Sequence, residues 1–189
     1  MNLVSQLDQL ETAQLVRRAD EPDVAYLFKH ALTRESAHES LLRKDRREIH
    51  RCVAEAMESI YADRLEEFAP ILAQHYAEAG DDAKTLAYAT RAGDASARIY
   101  ANAEAVAHYS IAIDAAKRAL SPVERGRAGV GVLQNLYLNR GRALELASRF
   151  PAALANYAEM EQLARESGDR AFELSALIAQ CQVRCTPTS

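Results

Sequence analysis

The chain has 189 residues and a formal net charge of −4, and this mildly acidic balance argues against a dedicated nucleic-acid binder. Tryptophan is absent and aromatic residues make up 6% of the chain, a composition that favours helix over sheet. No apolar run approaches the ~20 residues that a membrane span needs, and no signal peptide opens the chain. Three cysteines, an odd number, suit a reducing compartment. These features predict a cytoplasmic, all-α protein with no membrane contact.

The first sixty residues predict three helices and one short strand. An apolar stripe over residues 3–16 predicts a first helix that ends near Arg18. Val24–Phe28 is the one stretch typical of a strand, and it has no predicted partner strand. The helical pattern returns over residues 31–42. A capping box at Asp45 then predicts a helix that continues to about residue 61.

The rest of the chain predicts consecutive helices with short connections. Pro70 is predicted in the first turn of one helix, and Gly80 ends it. Ser121–Glu124 combines a cap, a proline and a glutamate, which is typical of a helix start. The predicted helices after Gly80 span about 81–99, 102–120, 121–147, 151–168 and 169–184, with a tail at 186–189.

Two segments of the chain carry the same spaced residues. Glycine, alanine, tyrosine and an apolar residue recur at fixed intervals: Gly93, Ala105, Tyr109 and Ala112, then Gly141, Ala153, Tyr157 and Met160. The copies are 48 residues apart (141 − 93). Small residues let two helices approach closely, and the aromatic residue fills the groove between one helix pair and the next. The spacing resembles the tetratricopeptide repeat, although that family's usual tryptophan is missing. It therefore predicts a tetratricopeptide-like α–α superhelix.

No sequence motif for catalysis or cofactor binding is present. The chain has neither GxxxxGK[ST] nor GxGxxG. His30, Arg34 and His38 share one helix face, and Cys181 and Cys185 are one turn apart, but neither set has a third metal ligand. We therefore predict packed or partly exposed side chains at these positions. No catalytic, cofactor-binding or metal residue is assigned, and the chain is not predicted to be an enzyme.

A single basic cluster occurs, formed by Arg43, Lys44, Arg46, Arg47 and Arg51. Asp45 and Glu48 interrupt it, and a DNA-binding surface usually has a larger local excess of positive charge. We interpret the cluster chiefly as a solvated helix face with i,i+4 ion pairs. The alternative function is a nucleic-acid-binding module in which the Arg43–Arg51 helix contacts phosphate, and docking of a protein by this helix is also left open.

A more specific resemblance covers residues 20 to 120. It rests on Tyr26-Leu27-Phe28-Lys29-His30-Ala31-Leu32-Thr33-Arg34-Glu35, Ser40-Leu41-Leu42, Arg46-Arg47, His50, Ala54-Glu55, Leu72-Ala73, His75-Tyr76 and Ala79-Gly80. This block resembles the region just after the nucleotide-binding module of STAND-type bacterial signalling ATPases. Such ATPases occur in multidomain adenylate and guanylate cyclases and in large transcriptional activators. At His38 the chain departs from the tyrosine that the family tends to have.

The resemblance implies three segments and a function. Residues 1–62 would be the end of a winged-helix-like module with a connecting helix, 63–185 the helical repeats, and 186–189 a tail. The chain would be a non-catalytic sensor arm of a larger polypeptide. It would dock a protein, peptide or small ligand and act on an upstream ATPase domain in cis. The apolar face of the last helix, uncovered in such a fragment, predicts self-association through residues 169–185.

Overall fold

Nine α-helices and one two-stranded sheet are found in the described residues, which a computed structural model defines as 3–19, 26–119 and 127–185. The all-α class is therefore confirmed, apart from the small sheet. No helix within these ranges is long and apolar enough to cross a bilayer. The elements are α1 (Leu3–Thr12), β1 (Val16–Arg18), β2 (Tyr26–Phe28), α2 (Ala31–Ser40), α3 (Arg43–Ile60), α4 (Leu65–Ala79), α5 (Asp82–Arg98), α6 (Asn102–Ala119), α7 (Arg127–Leu146), α8 (Phe150–Ser167) and α9 (Arg170–Cys185).

Contacts divide the chain into two compact units, Met1–Glu48 and Ile49–Ser189. The division falls before residue 62, the predicted domain boundary. The predicted tail and the Ser121–Glu124 helix start lie outside the described residues.

In the first unit the prediction of one helix through Val16 is wrong. Helix α1 ends at Thr12, and Gln14 follows with a left-handed φ of 61°. Val16, which is buried, begins β1 and lies opposite Phe28 in an antiparallel pair with β2. The predicted strand, β2, is therefore paired with β1, although the sequence predicted no partner strand. Burial and the ladder hydrogen bonds outweigh the local helical pattern. Residues 24 and 25 lie outside the described residues.

In the second unit α4 begins earlier than Pro70, so the predicted start is wrong. The helix begins at Leu65, and Pro70 lies inside it. The rings of Tyr61 and Phe68 stack with centroids 4.2 Å apart, and Arg64 forms an ion pair with Glu67. These contacts stabilise the first turn of the helix, which lies before Pro70.

From α4 to α9 each helix contacts the next, and α7 also contacts α9. The connections that the structure describes between these helices are short, so successive helices are antiparallel. As predicted, α4 and α8 end at glycines, Gly80 and Gly168, with φ of 78° and 69°. The next residues cap the following helices. Asp81 accepts a hydrogen bond from the amide of Lys84, and Asp169 accepts one from the amide of Phe172, each at 3.0 Å.

The α5–α6 and α7–α8 turns share a left-handed residue and a backbone hydrogen bond at equivalent positions. Tyr100 and Ser148, 48 residues apart (148 − 100), both have left-handed φ values, of 58° and 56°. In each turn the amide of the next residue donates to the carbonyl five residues before it, at 3.0 Å and 2.8 Å. The spacing of the sequence repeat is thus also the spacing of equivalent backbone hydrogen bonds.

Inside each helix pair a tyrosine ring lies against a glycine. A Cβ atom at Gly93 would lie 2.6 Å from Cε1 of Tyr109, and one at Gly141 would lie 2.3 Å from Cζ of Tyr157. Both rings are buried, and both lie within their own pair, against the preceding helix. Only glycine leaves room for them at this distance.

This contact predicts opposite effects for two substitutions in α7. Gly141→Ala drives a Cβ into the Tyr157 ring, and we expect it to destabilise the protein by about 1–3 kcal/mol. Nothing lies within 4 Å of a Cβ at Gly131, so Gly131→Ala is the matched control. There we expect stabilisation of up to about 1 kcal/mol from helix propensity. Urea unfolding followed by circular dichroism measures both; equal midpoints for the two variants would contradict the packing.

Candidate ligand-binding groove

A groove of about 320 Å³ lies between α5 and α7, with the start of α6 at its base. We call it the α5–α7 groove. Its lining combines two arginines, two asparagines, an aspartate and a tyrosine with three apolar residues: Asp94, Ala97, Arg98, Asn102, Tyr109, Asn139, Arg142, Ala143 and Leu146. It joins the two copies of the sequence repeat, since α5 belongs to the first copy and α7 to the second.

Tyr109 forms the floor of the groove and orients an acid at its wall. Its hydroxyl donates a hydrogen bond to Oδ1 of Asp94 at 2.7 Å. Burial, followed by this bond and the charge of Asp94, raises the pKa of Tyr109 far above its usual value. The hydroxyl therefore stays protonated and keeps donating, while the second oxygen of Asp94 accepts no hydrogen bond from a described residue.

Two arginines at the rim hold weak ion pairs. Nη2 of Arg98 lies 3.3 Å from Glu66, and Nη1 of Arg142 lies 3.2 Å from Glu145. The arginine side chains are 62% and 67% exposed. Exposed pairs of this kind contribute roughly 0–1 kcal/mol. Both guanidinium groups can therefore turn to the carboxylate or carbonyl of a ligand at little cost.

Asn102 supplies an acceptor whose hydrogen-bonding capacity is unused. Its Oδ1 atom is buried and accepts no hydrogen bond from any described residue. Buried polar atoms usually have a partner, and leaving one without a partner costs about 1–3 kcal/mol. On the opposite wall the side chain of Asn139 is exposed. Together the two amides present donors and acceptors that match the main chain of a peptide.

The second repeat copy keeps the tyrosine but changes its partner. The Tyr157 hydroxyl donates to Oε1 of Glu145 at 2.7 Å, and burial, ahead of this carboxylate, raises the pKa of Tyr157. Glu145 stands one helical turn after Gly141, whereas Asp94 directly follows Gly93. The carboxylate that holds the tyrosine is thus supplied from a different position in each copy.

A polar cluster links α6, α7 and α8 beside the groove. Arg140 donates from Nε to Asn156 at 2.6 Å, and its Nη2 lies 2.9 Å from Glu159. Lys117 binds the other oxygen of Glu159 at 2.6 Å. Burial favours a higher pKa for Glu159, but the bond from Lys117 and the two positive charges lower it overall. Because Glu159 binds both cations, one from α6 and one from α7, the cluster joins the three helices.

Tyr137 lies beneath this polar cluster and is fully buried. Burial raises its pKa to about 12; Glu159 adds to the rise and Lys117 opposes it. Its hydroxyl makes no hydrogen bond of normal geometry to a described residue. The neighbouring cavity of about 250 Å³ is lined by residues of the cluster and of α8. Since Lys117 and Glu159 already bind each other there, we place the candidate site in the α5–α7 groove.

The residues considered for metal binding are not brought into a site. His30, Arg34 and His38 are exposed. The thiols of Cys181 and Cys185 are exposed, with Sγ atoms 4.0 Å apart. Within the described ranges no group of three or more histidine, cysteine, aspartate or glutamate side chains could hold a metal ion.

The basic cluster lies on α3 and meets solvent. Arg43, Lys44, Arg47 and Arg51 are exposed, and Arg46 is partly exposed. None of the five forms an ion pair with a described residue, so the predicted i,i+4 pairs with Asp45 and Glu48 are not seen. The cluster keeps its charge available to an anionic partner.

The structure also brings together two histidines that sequence reasoning did not pair. Nδ1 of His50 on α3 lies 3.0 Å from Nδ1 of His75 on α4. One ring nitrogen must donate and the other accept, so the contact requires at least one neutral imidazole. The two positions are far apart in the chain and on different helices, and no local pattern links them.

Comparison with models of protein families, with curated proteins and with solved structures finds no match.

The histidine contact predicts a pH dependence of stability. Burial, and then the charge of His50, lowers the pKa of His75 below its ordinary value of 6.5. The unfolded chain then binds more protons than the folded one, so this contribution is complete above pH 6.5 and is lost as the pH falls toward the lower folded pKa. We expect His75→Gln to lower the free energy of unfolding at pH 7.5, and to lower it less at pH 5.

Denaturant unfolding at several pH values measures this difference. His30→Gln is the control, because His30 is exposed and its side chain makes no capping hydrogen bond to α2. This control should shift stability little at any pH. A His75→Gln effect that does not change with pH would contradict the assignment.

Proposed function

We propose that this chain is a non-catalytic interaction arm, a tetratricopeptide-like superhelix that docks a protein or peptide. The proposal is supported by the two helix pairs with equivalent glycine–tyrosine contacts and equivalent turns, 48 residues apart (148 − 100). Helix pairs that stack in register form an extended surface, which such folds use for binding. A catalytic role has no comparable support, because the groove presents no nucleophile beside a base.

The ligand class follows from the α5–α7 groove. The observation that carries the proposal is the buried oxygen of Asn102, which accepts no hydrogen bond from a described residue, in a groove that also holds the weakly paired Arg98 and Arg142. An extended peptide supplies an N–H for the asparagine oxygen and carbonyl or carboxylate oxygens for the arginines. The apolar lining at Ala143 and Leu146 suits an aliphatic side chain of that peptide.

The larger setting we propose is a bacterial signalling ATPase linked to a nucleotide cyclase or a DNA-binding domain. Support comes from the Tyr26–Glu35 block and from the Leu72–Gly80 residues, which resemble the segment after such an ATPase module. In that setting the arm passes ligand binding to the ATPase in cis. The surrounding reading frame decides this part of the proposal, since a parent chain with no P-loop before these residues would refute it.

Binding of nucleic acid through Arg43–Arg51 is the second candidate. The observation in its favour is that this basic cluster is largely exposed and has no ion pair with a described residue. Phosphate contacts give an affinity that falls steeply with salt. Duplex binding with such a salt dependence, abolished by Arg43→Glu with Arg47→Glu, would favour this function over the peptide groove.

The groove predicts a selective loss of peptide binding. Peptides selected from a displayed random library on the folded chain provide the probe, and fluorescence anisotropy measures their affinity. We expect Asn139→Ala with Arg142→Glu to weaken binding at least roughly tenfold, which corresponds to about 1.4 kcal/mol. Arg149→Glu reverses an exposed charge outside the groove and should bind like the unmodified chain. Equal binding by all three proteins would exclude the groove as the site.

The same proposal predicts that the chain does not bind nucleotide. No glycine-rich loop offers a cradle of backbone amides for phosphates. Calorimetric titration with magnesium-ATP should therefore give no heat of binding. A micromolar site would overturn the non-catalytic function, and loss of that site in Arg43→Glu with Arg47→Glu would assign it to α3.

A further inference from the structure

Helix α9 has one buried and one exposed apolar face. Phe172, Ala176 and Val183 are buried against the preceding helices. On the opposite side Leu174 is 58% exposed and Ile178 is 51% exposed. Leu177, Cys181 and Cys185 are exposed on this side as well. We call Leu174, Leu177, Ile178, Cys181 and Cys185 the α9 face.

On α5, the face that corresponds to the α9 face is covered by the next helix, α6. The Gly-Asp turn before α9 repeats the turn before α5, 88 residues earlier (169 − 81), with the same capping bond. In that register Leu177 corresponds to Ala89, which is fully buried. Cys181 corresponds to Gly93, which lies under the Tyr109 ring of α6. The α9 face therefore corresponds to a surface of α5 that the following helix covers.

The side chain at Cys181 restricts which helix can cover the face. A Cβ at Gly93 would lie only 2.6 Å from the Tyr109 ring, and Cys181 has both a Cβ and a sulfur at the corresponding position. A helix that inserts a tyrosine there, as α6 and α8 do at their glycines, would clash. The covering helix must instead place an aliphatic side chain opposite Cys181.

The α9 face meets that requirement itself. Leu174, Ile178, Cys181 and Cys185 follow one another at intervals of four, three and four, the seam of two helices packed side by side. The first two are large and the last two are small. Two antiparallel copies place Leu174 opposite Cys185 of the second copy, and Ile178 opposite Cys181. In a parallel pair the small side chains of Cys181 and Cys185 would lie opposite the same cysteines of the second copy, and this would leave a void.

We propose that the α9 face is a self-association surface on which two copies of the chain pack α9 antiparallel about a two-fold axis. Such an interface is self-complementary, as two-fold symmetry requires. One helix per copy covers less than the ~800 Å² per partner of a stable complex, so the association is weak and depends on concentration. The surface lies apart from the α5–α7 groove, and the inference does not depend on peptide binding there.

Sedimentation velocity over a roughly hundredfold range of concentration tests the association. The unmodified chain should show a rising sedimentation coefficient, and Leu174→Glu with Ile178→Glu should remain monomeric with an unchanged circular dichroism spectrum. Ile71→Glu, at a 44% exposed isoleucine on α4, is the matched control and should associate like the unmodified chain. A monomer at every concentration, or a double variant that still associates, would overturn the proposal.

Disulfide trapping tests the antiparallel arrangement. In a Cys52→Ser, Cys181→Ser background, Leu174→Cys places a thiol opposite Cys185 of the second copy. Mild oxidation should give a cross-linked dimer in which mass spectrometry joins position 174 to position 185. Links of 174 to 174 and of 185 to 185 would refute the antiparallel pair, and the absence of any dimer would refute the contact.

Discussion

The close approach of a tyrosine ring to a glycine is the contact on which the helix pairs depend. At Gly93 and Gly141 there is no space for even one additional carbon beside Tyr109 and Tyr157. The ring buries a large apolar area between two backbones that only glycine allows to come so near. Because both contacts lie at the same spacing as the turns that follow α5 and α7, each helix pair is a unit with the same internal geometry.

The same two tyrosines, Tyr109 and Tyr157, also explain the positions of two carboxylates. Each buried ring needs an acceptor for its hydroxyl, and Asp94 and Glu145 supply one at 2.7 Å. This need places a carboxylate at the wall of the α5–α7 groove, beside arginines that meet solvent. A core contact thus determines part of the chemistry of the surface, since an ionised acceptor cannot lie far from water.

The remaining surfaces differ in what they offer a partner. The polar cluster around Arg140 and Glu159 pairs its two cations with one carboxylate and joins three helices. The basic cluster on α3 has no such compensation among the described residues, and the α9 face is apolar. Peptide, phosphate and helix would therefore be recognised by different parts of the chain, through hydrogen bonds, charge and shape respectively.

The helical class, the repeat spacing and most helix ends after Gly80 were predictable from local sequence patterns. These features depend on local chemistry: Gly80 and Gly168 adopt a left-handed φ, and Asp81 and Asp169 cap the helices that follow. Three features were not predictable in this way: the strand at Val16–Arg18, the start of α4 before Pro70, and the contact between His50 and His75. The tertiary structure also brought Arg98 and Arg142 to one groove. Such pairings join residues that are distant in the chain, and their free energy comes from burial and hydrogen bonds that exist only once the helices have packed.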